Sequence, residues 1–162
     1  MTLDECINEI KTHHFPSAPA SEAAVAARFA YLPWKVPADL RLFYIACDGA
    51  RLFRDVDSPF TVVPLEAFHP TSIDIYGAIK EDWLPPAWFT IADVQDGNCI
   101  AIDLSSVEAG RADILDVFHE TAADKGYRAV IARSFCEFLS DALESGGEHY
   151  WLKKSFKGYG YR

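Results

Sequence analysis

Three groups of residues in this chain have types that could do chemistry. The first is Cys47-Asp48-Gly49, a thiol beside a carboxylate, as a nucleophile or a metal site would use. The second is Asp93, Asp96 and Asp103, spaced along "DVQDGNCIAID". The third is the five histidines, His13, His14, His69, His119 and His149. None of them completes a catalytic pattern. A reactive thiol needs a base or a cation beside it to lower its pKa, and nothing local to Cys47 supplies one. Cys6, Cys47, Cys99 and Cys136 never form CxxC or CxH pairs, so the short turn that usually offers two zinc ligands is absent. The aspartates miss the D-x-D-x-D-G spacing of a calcium loop, and no glutamate closes it. His13 and His14 are adjacent, which points their rings apart. There is no GxxxxGK[ST], no GxGxxG after a strand, no HExxH and no GxSxG. The expectation is a protein that is not an enzyme, with no catalytic residue, no metal and no cofactor. A small-molecule-binding or hydrolytic site assembled from distant residues such as His119 and Asp103 is the alternative that spacing leaves open.

The same residues read better as a binding surface. Asp93, Asp96 and Asp103 bracket a turn, and Asp103 shares a strand parity with Cys99 and Ala101, opposite the apolar face, which predicts a solvent-facing acid. Trp83 and Trp88 flank "LPPA", where two prolines fix the backbone; either ring, if partly exposed, is an anchor for a partner. Charge supports this. Lys and Arg number 15 against 24 Asp and Glu, a formal net charge of −9. The segment 149–162 holds Lys153, Lys154, Lys157 and Arg162 and no acid. The remaining 148 residues therefore carry 11 bases and all 24 acids, a formal −13. Such a body repels phosphate backbones and steers basic partners toward it. The tail interleaves Tyr150, Trp151, Phe156, Tyr159 and Tyr161 with its bases, as a single-strand nucleic-acid stripe does. Beside an acidic body, docking back onto the domain is the favoured reading, and no nucleic acid is expected.

These residues must be positioned by a fold. With 50% hydrophobic residues and 162 in all, the chain suits one domain with one core. The expected division is a domain over 1–148 and the tail over 149–162. "TLDE" is a capping box opening a first helix with Leu3, Cys6, Ile7 and Ile10 on one face. Ser21 leads into an alanine-rich second helix. Pro37 suits the first turn of a third, whose stripe Leu40, Phe43, Tyr44 and Cys47 ends at Gly49, placed to close it. Periodicity then changes to two. "ARLF" and "PFTVVPL" (59–65) read as strands, "LEAF" as a helical turn, and 69–86 as mostly loop. "AWFTIADVQDGNCIAIDLSS" is a hairpin turning at Asp96-Gly97, with Gly97 structural like Pro37 and Gly49. "ADILDVFH" is a further strand. A last helix begins at Ser134, with Glu137 completing a second capping box. Helices, then strands, then a helix predict an α+β fold: N-terminal helices, a mostly antiparallel curved sheet, and a C-terminal helix packed on it.

In that order the segments "VPADLRLFYIACDGARLF", "FTVVPLEAF", "WFTIADVQDGNCIAIDL" and "IARSFCEFLSDALES", preceded by the alanine-rich helix, resemble the SUKH superfamily over roughly 20–145. The segment 69–86 and the basic aromatic tail fall outside the family pattern. The resemblance implies a non-enzymatic protein whose bacterial relatives are typically immunity proteins, binding and neutralising a toxin domain that is often a nuclease. Others of the family act as scaffolds or regulators, which is the alternative function. The implied partner is a protein toxin, expected to be basic. No apolar run approaches a membrane span, and "MTLDECINEI" lacks the basic start of a signal peptide, so a cytoplasmic protein is expected. A monomer or weak homodimer fits the strand edges.

Overall fold

The computed structural model describes residues 1–53, 56 and 60–162. The elements run α1 (Leu3–His13), β1 (Phe15–Pro16), α2 (Glu22–Ala30), α3 (Ala38–Ala46), β2 (Ala50–Arg51), β3 (Thr61–Val62), α4 (Thr71–Tyr76), β4 (Trp88–Asp93), β5 (Cys99–Asp103), β6 (Ile114–Val117), β7 (Val130–Ala132) and α5 (Phe135–Glu144). The strands form one open sheet in chain order, each antiparallel to the next. The register slips between Thr90 and Ala92, a bulge that bends β4. This is the α+β architecture expected.

Local signals explain most boundaries. At α1 both halves of the capping box form: Glu5 N–H donates to Thr2 Oγ1 (3.3 Å) and Thr2 N–H to Glu5 Oε2 (2.7 Å). At α5 only half does. Ser134 caps Glu137 N–H, while the Glu137 carboxylate reaches one residue further back, to Arg133 N–H (2.7 Å). Pro37 is the N-cap of α3 rather than its first helical residue, and the helix ends at Ala46 with Cys47 already extended. Gly49 thus lies two residues past the cap, and its glycine is required for another reason. With φ +86°, a Cβ there would sit 2.8 Å from the Val62 carbonyl oxygen and 2.9 Å from Pro64 N. Backbone cannot yield as a side chain can, so β3 passes Gly49 only because it has no Cβ. Within "PFTVVPL", β3 covers Thr61–Val62, and Pro59 lies outside the described residues.

The sheet is buried on both faces. On one, α1, α2, α3 and α5 cover a large core that includes Phe43, Tyr44, Phe68, Ile100, Ile102 and Phe135. On the other, Trp88, Ala101, Leu115, Val117 and Val130 pack with Leu84 and Ala122. The sequence reading expected this second face to meet water. It is covered by α4, which packs on β4 and β5, and by the chain around Leu84 and Ala122. The segment 69–86, read as mostly loop, contains α4. Pro70 caps it and Gly77 ends it in the left-handed region (φ +70°), the proline-before, glycine-after signature of a short helix.

The tail completes the sheet. Val130 N–H donates to Gly160 O (2.9 Å), Tyr159 N–H to Val130 O (3.0 Å) and Arg162 N–H to Arg128 O (3.0 Å). Residues 159–162 therefore run along the outer edge of β7 and occupy backbone groups that would otherwise invite another strand. Tyr150 and Trp151 are buried, and the Tyr150 hydroxyl donates to Ile131 O (3.2 Å). At the opposite edge β1 is two residues long and contains Pro16, which limits pairing there.

Candidate functional site

The β4–β5 hairpin brings two of the three candidate aspartates to one exposed turn. Asp93 closes β4 across from Cys99, and its Oδ1 accepts the Gln95 N–H (2.7 Å). The chain then crosses through Gln95, Asp96 and Gly97, all at positive φ (72°, 54° and 76°). The turn is thus longer than the two-residue Asp96-Gly97 form. Val94 N–H bonds to Asn98 O (3.2 Å) and Asn98 N–H to Gln95 O (2.9 Å), so it is internally braced. Asp93 and Asp96 both face solvent.

Register decides what stands beside this turn. Cys99 pairs with Asp93 on one side and Val117 on the other, so the chain leaving β6 must flank the turn. Phe118, His119 and Glu120 follow, all exposed. The His119 amide donates to Asn98 Oδ1 (3.1 Å), its Nδ1 lies 2.8 Å from the same oxygen, and its ring packs 5.1 Å from that of Phe118. Phe118 is 40% exposed. The result is a turn carrying two exposed aspartates, flanked by a segment that carries an exposed aromatic and a glutamate and is tied to the turn through Asn98. Such a surface presents carboxylates to cations and an apolar ring to bury. Phe118 and Glu120 were not singled out from the sequence. The strand preceding them was legible, but its register against β5 was not.

The other candidates separate. Asp103, expected to face solvent, is 6% exposed. Its Oδ1 accepts the Ser105 N–H (2.9 Å) and the Ser105 hydroxyl, capping the 3-10 turn Leu104–Ser106. It is committed to shaping the chain after β5, because the face it shares with Cys99 and Ala101 is covered. Trp88 is 2% exposed, sits in the second core and carries the Arg128 guanidinium 5.2 Å from its ring centre, so it is no surface anchor. Trp83 is 48% exposed, edge-on to Tyr76 with Lys80 Nζ 5.7 Å from its ring. It meets the exposure condition for an anchor but precedes β4, while Asp93 ends it. The two belong to different segments of the chain, and no contact joins them among the described residues. His119 and Asp103 likewise flank opposite ends of β5, so they form no joint hydrolytic site.

Burial also settles the thiols. It pushes Cys47 up to about 11 and Cys6 and Cys99 up to about 12, which keeps all three protonated at neutral pH. Cys47 is fully buried at the end of α3, so Cys47-Asp48-Gly49 is a helix terminus. Asp48 Oδ1 accepts the Leu65 N–H (2.6 Å), tying α3 to the turn after β3. Among the described residues no three His, Cys, Asp or Glu side chains converge as a metal set, and no helix is long and apolar enough to cross a membrane.

Residues 19–141 match the model of the SMI1 / KNR4 family (SUKH-1). Among curated proteins, the chain is 29% identical over 127 residues to "Immunity protein YokJ" of Bacillus subtilis (strain 168). That alignment spans 78% of this chain and 76% of that protein.

Proposed function

The chain belongs to the SMI1 / KNR4 family (SUKH-1), and from that premise we propose that it is an immunity protein, which binds a protein toxin domain and blocks it by occupying its surface. The observation that carries this reading is the likeness to a curated immunity protein across most of both chains. The contact region is the acidic turn: Asp93, Asp96 and Glu120 supply charge, and Phe118 supplies the ring that becomes buried. Trp83 is a second aromatic anchor at the other end of β4. Asp103 and Trp88, being internal, act only by holding the hairpin and its covering layer in shape. The toxin domain is basic, because an acidic partner would meet a surface of like charge, and repulsion across an interface costs several kcal/mol. A nucleic-acid-cleaving domain, which must itself attract phosphates, is the type that fits. Neutralisation is stoichiometric and needs no catalytic group, metal or cofactor. The protein acts in the cytoplasm as a monomer.

Co-expression tests this. Toxin domains encoded in the same genome are produced with and without the protein, and growth is followed. Rescue from one of them, with a one-to-one complex on purification, supports the reading. Survival unaffected by the protein for every domain that kills, or a stable complex with a non-toxic regulatory protein instead, overturns it.

A further inference from the structure

At the other end of β5 lies a groove of about 780 Å³ whose lining includes Ser105, Ser106, Arg111, Asp113, Arg133 and Arg162. Its three arginines come from three separate segments: the turn before β6, the β7–α5 junction and the docked tail. Their convergence is unexpected in a chain of net charge −9. Asp113 explains how two of them are held. It is 5% exposed, and its carboxylate is divided between them, Oδ1 taking Arg133 Nη1 (2.7 Å) and Oδ2 taking Arg162 Nη2. The Arg133 guanidinium also lies 5.0 Å from the centre of the Tyr159 ring. One carboxylate cannot neutralise two guanidinium groups, and each keeps further N–H donors. Arg111 has no side-chain partner among the described residues. Glu108 also lines the groove, yet three arginines against two carboxylates leave it net positive. The serines do not compete as donors: Ser105 Oγ donates to Asp103 Oδ1 and Ser106 Oγ to Asp103 O. The free donors are therefore guanidinium N–H groups, whose planar fork matches carboxylate and phosphate oxygens. The volume lies within the range of about 300–1,000 Å³ typical of small-molecule sites.

We propose that this groove binds a small molecule carrying two or more carboxylate or phosphate groups, gripped by Arg111 together with the Arg133 and Arg162 that Asp113 holds in place. The site is independent of the toxin-binding reading, since it uses none of the same residues. It is tested by isothermal titration of the full chain, at low ionic strength in a chloride buffer, with citrate and with inorganic pyrophosphate as separate probes. One-site binding of either probe is expected, and which one binds tells the carboxylate from the phosphate class. Arg111→Ala is expected to weaken binding about tenfold or more while the unfolding midpoint stays put, because Arg111 is exposed and supports no packing. Lys153→Ala/Lys154→Ala, which removes charge from the tail outside the groove, is expected to leave affinity unchanged. Asp113→Asn separates positioning from attraction. It makes the groove more positive, so attraction alone would tighten binding, whereas loss of the arginine clamp weakens it. Should Asp113→Asn fail to fold, Arg111→Ala decides. Binding of neither probe, binding indifferent to Arg111, or equal loss in the lysine variant would overturn the proposal.

Discussion

Beyond Cys99, at one end of β5, an exposed turn carries Asp93 and Asp96 beside the segment of Phe118 and Glu120; beyond Asp103, at the other end, Arg111, Arg133 and Arg162 line a groove with a buried Asp113. The carboxylates of the first region stay at the surface, Asp93 accepting the Gln95 N–H of its own turn. The buried ones of the second are consumed: Asp113 by two arginines and Asp103 by the turn it caps. The difference teaches that charge type alone does not mark a binding residue. An exposed acid that the fold does not need is available to a partner, while a buried one is occupied in holding its own structure together. Net charge hides this, because −9 is a sum over regions of opposite character.

The largest effect that would break the comparison lies in binding. Replacing Asp93, Asp96 and Glu120 with Asn, Asn and Gln is expected to raise the Kd for the cognate toxin roughly ten- to hundredfold and to flatten its dependence on salt. Stability should stay within about 0.5 kcal/mol, as for exposed sites generally. Titration at two salt concentrations, with a urea melt of the free variant, reads both. An unchanged Kd in the folded variant would remove the acidic turn from the interface.

At the opposite end the expectation reverses, with stability lost and toxin affinity kept. Asp113→Ala removes two charge-assisted hydrogen bonds, each typically worth about 1.5–3 kcal/mol. Arg133 and Arg162 are almost half exposed and rehydrate, so about 2 kcal/mol in total is expected from urea unfolding. A loss below about 0.5 kcal/mol would mean the clamp contributes little.

Gly97→Ala sharpens the comparison with a smaller change. The residue sits at φ +76°, and a Cβ would meet the His119 ring at 3.8 Å, an ordinary contact. The cost is the backbone penalty alone, about 1 kcal/mol. A much larger loss would show that the turn has no room to adjust. Gly49→Ala, where backbone blocks the Cβ, is the contrasting position.

A different kind of check, on pH rather than on a lost contact, belongs to Asp116, midway along β6 between the two regions. Burial raises its pKa from 3.8 to about 6, opposed by a hydrogen bond from Trp151. The folded state then holds a proton that the unfolded chain releases earlier. Its contribution is full below about pH 4 and is lost as pH rises through about 6. Asp116→Asn should remove that downward slope from a plot of stability against pH between 4 and 6. A slope unchanged in the variant would assign it to another group.

Much of the fold was legible because its signals are local. Thr2 and Glu5 cap α1, Ser21 opens α2, and the stripe Phe135, Phe138, Leu139 and Ala142 faces inward on α5. The alternation through β4 and β5 marked the hairpin. Even the covered second face left a trace, since Cys99 and Ala101 are not the Thr, Lys or Glu of a wetted strand, and Leu115 and Val117 continue that apolar surface on β6. Weighing those four together would have placed Asp103 inside.

What the sequence determined by itself was the caps and the hairpin, fixed by residues within a few positions of one another, and the class of fold and its family, carried by the order of such local segments along the chain. The tertiary structure alone decided which aspartates face a partner and which arginines meet. Those outcomes depend on the register of β6 against β5, on α4 and the 118–130 segment closing over the sheet, and on the tail running along β7. They are contacts between segments far apart in the chain, whose pairing follows from burying the most apolar surface at once rather than from any local preference.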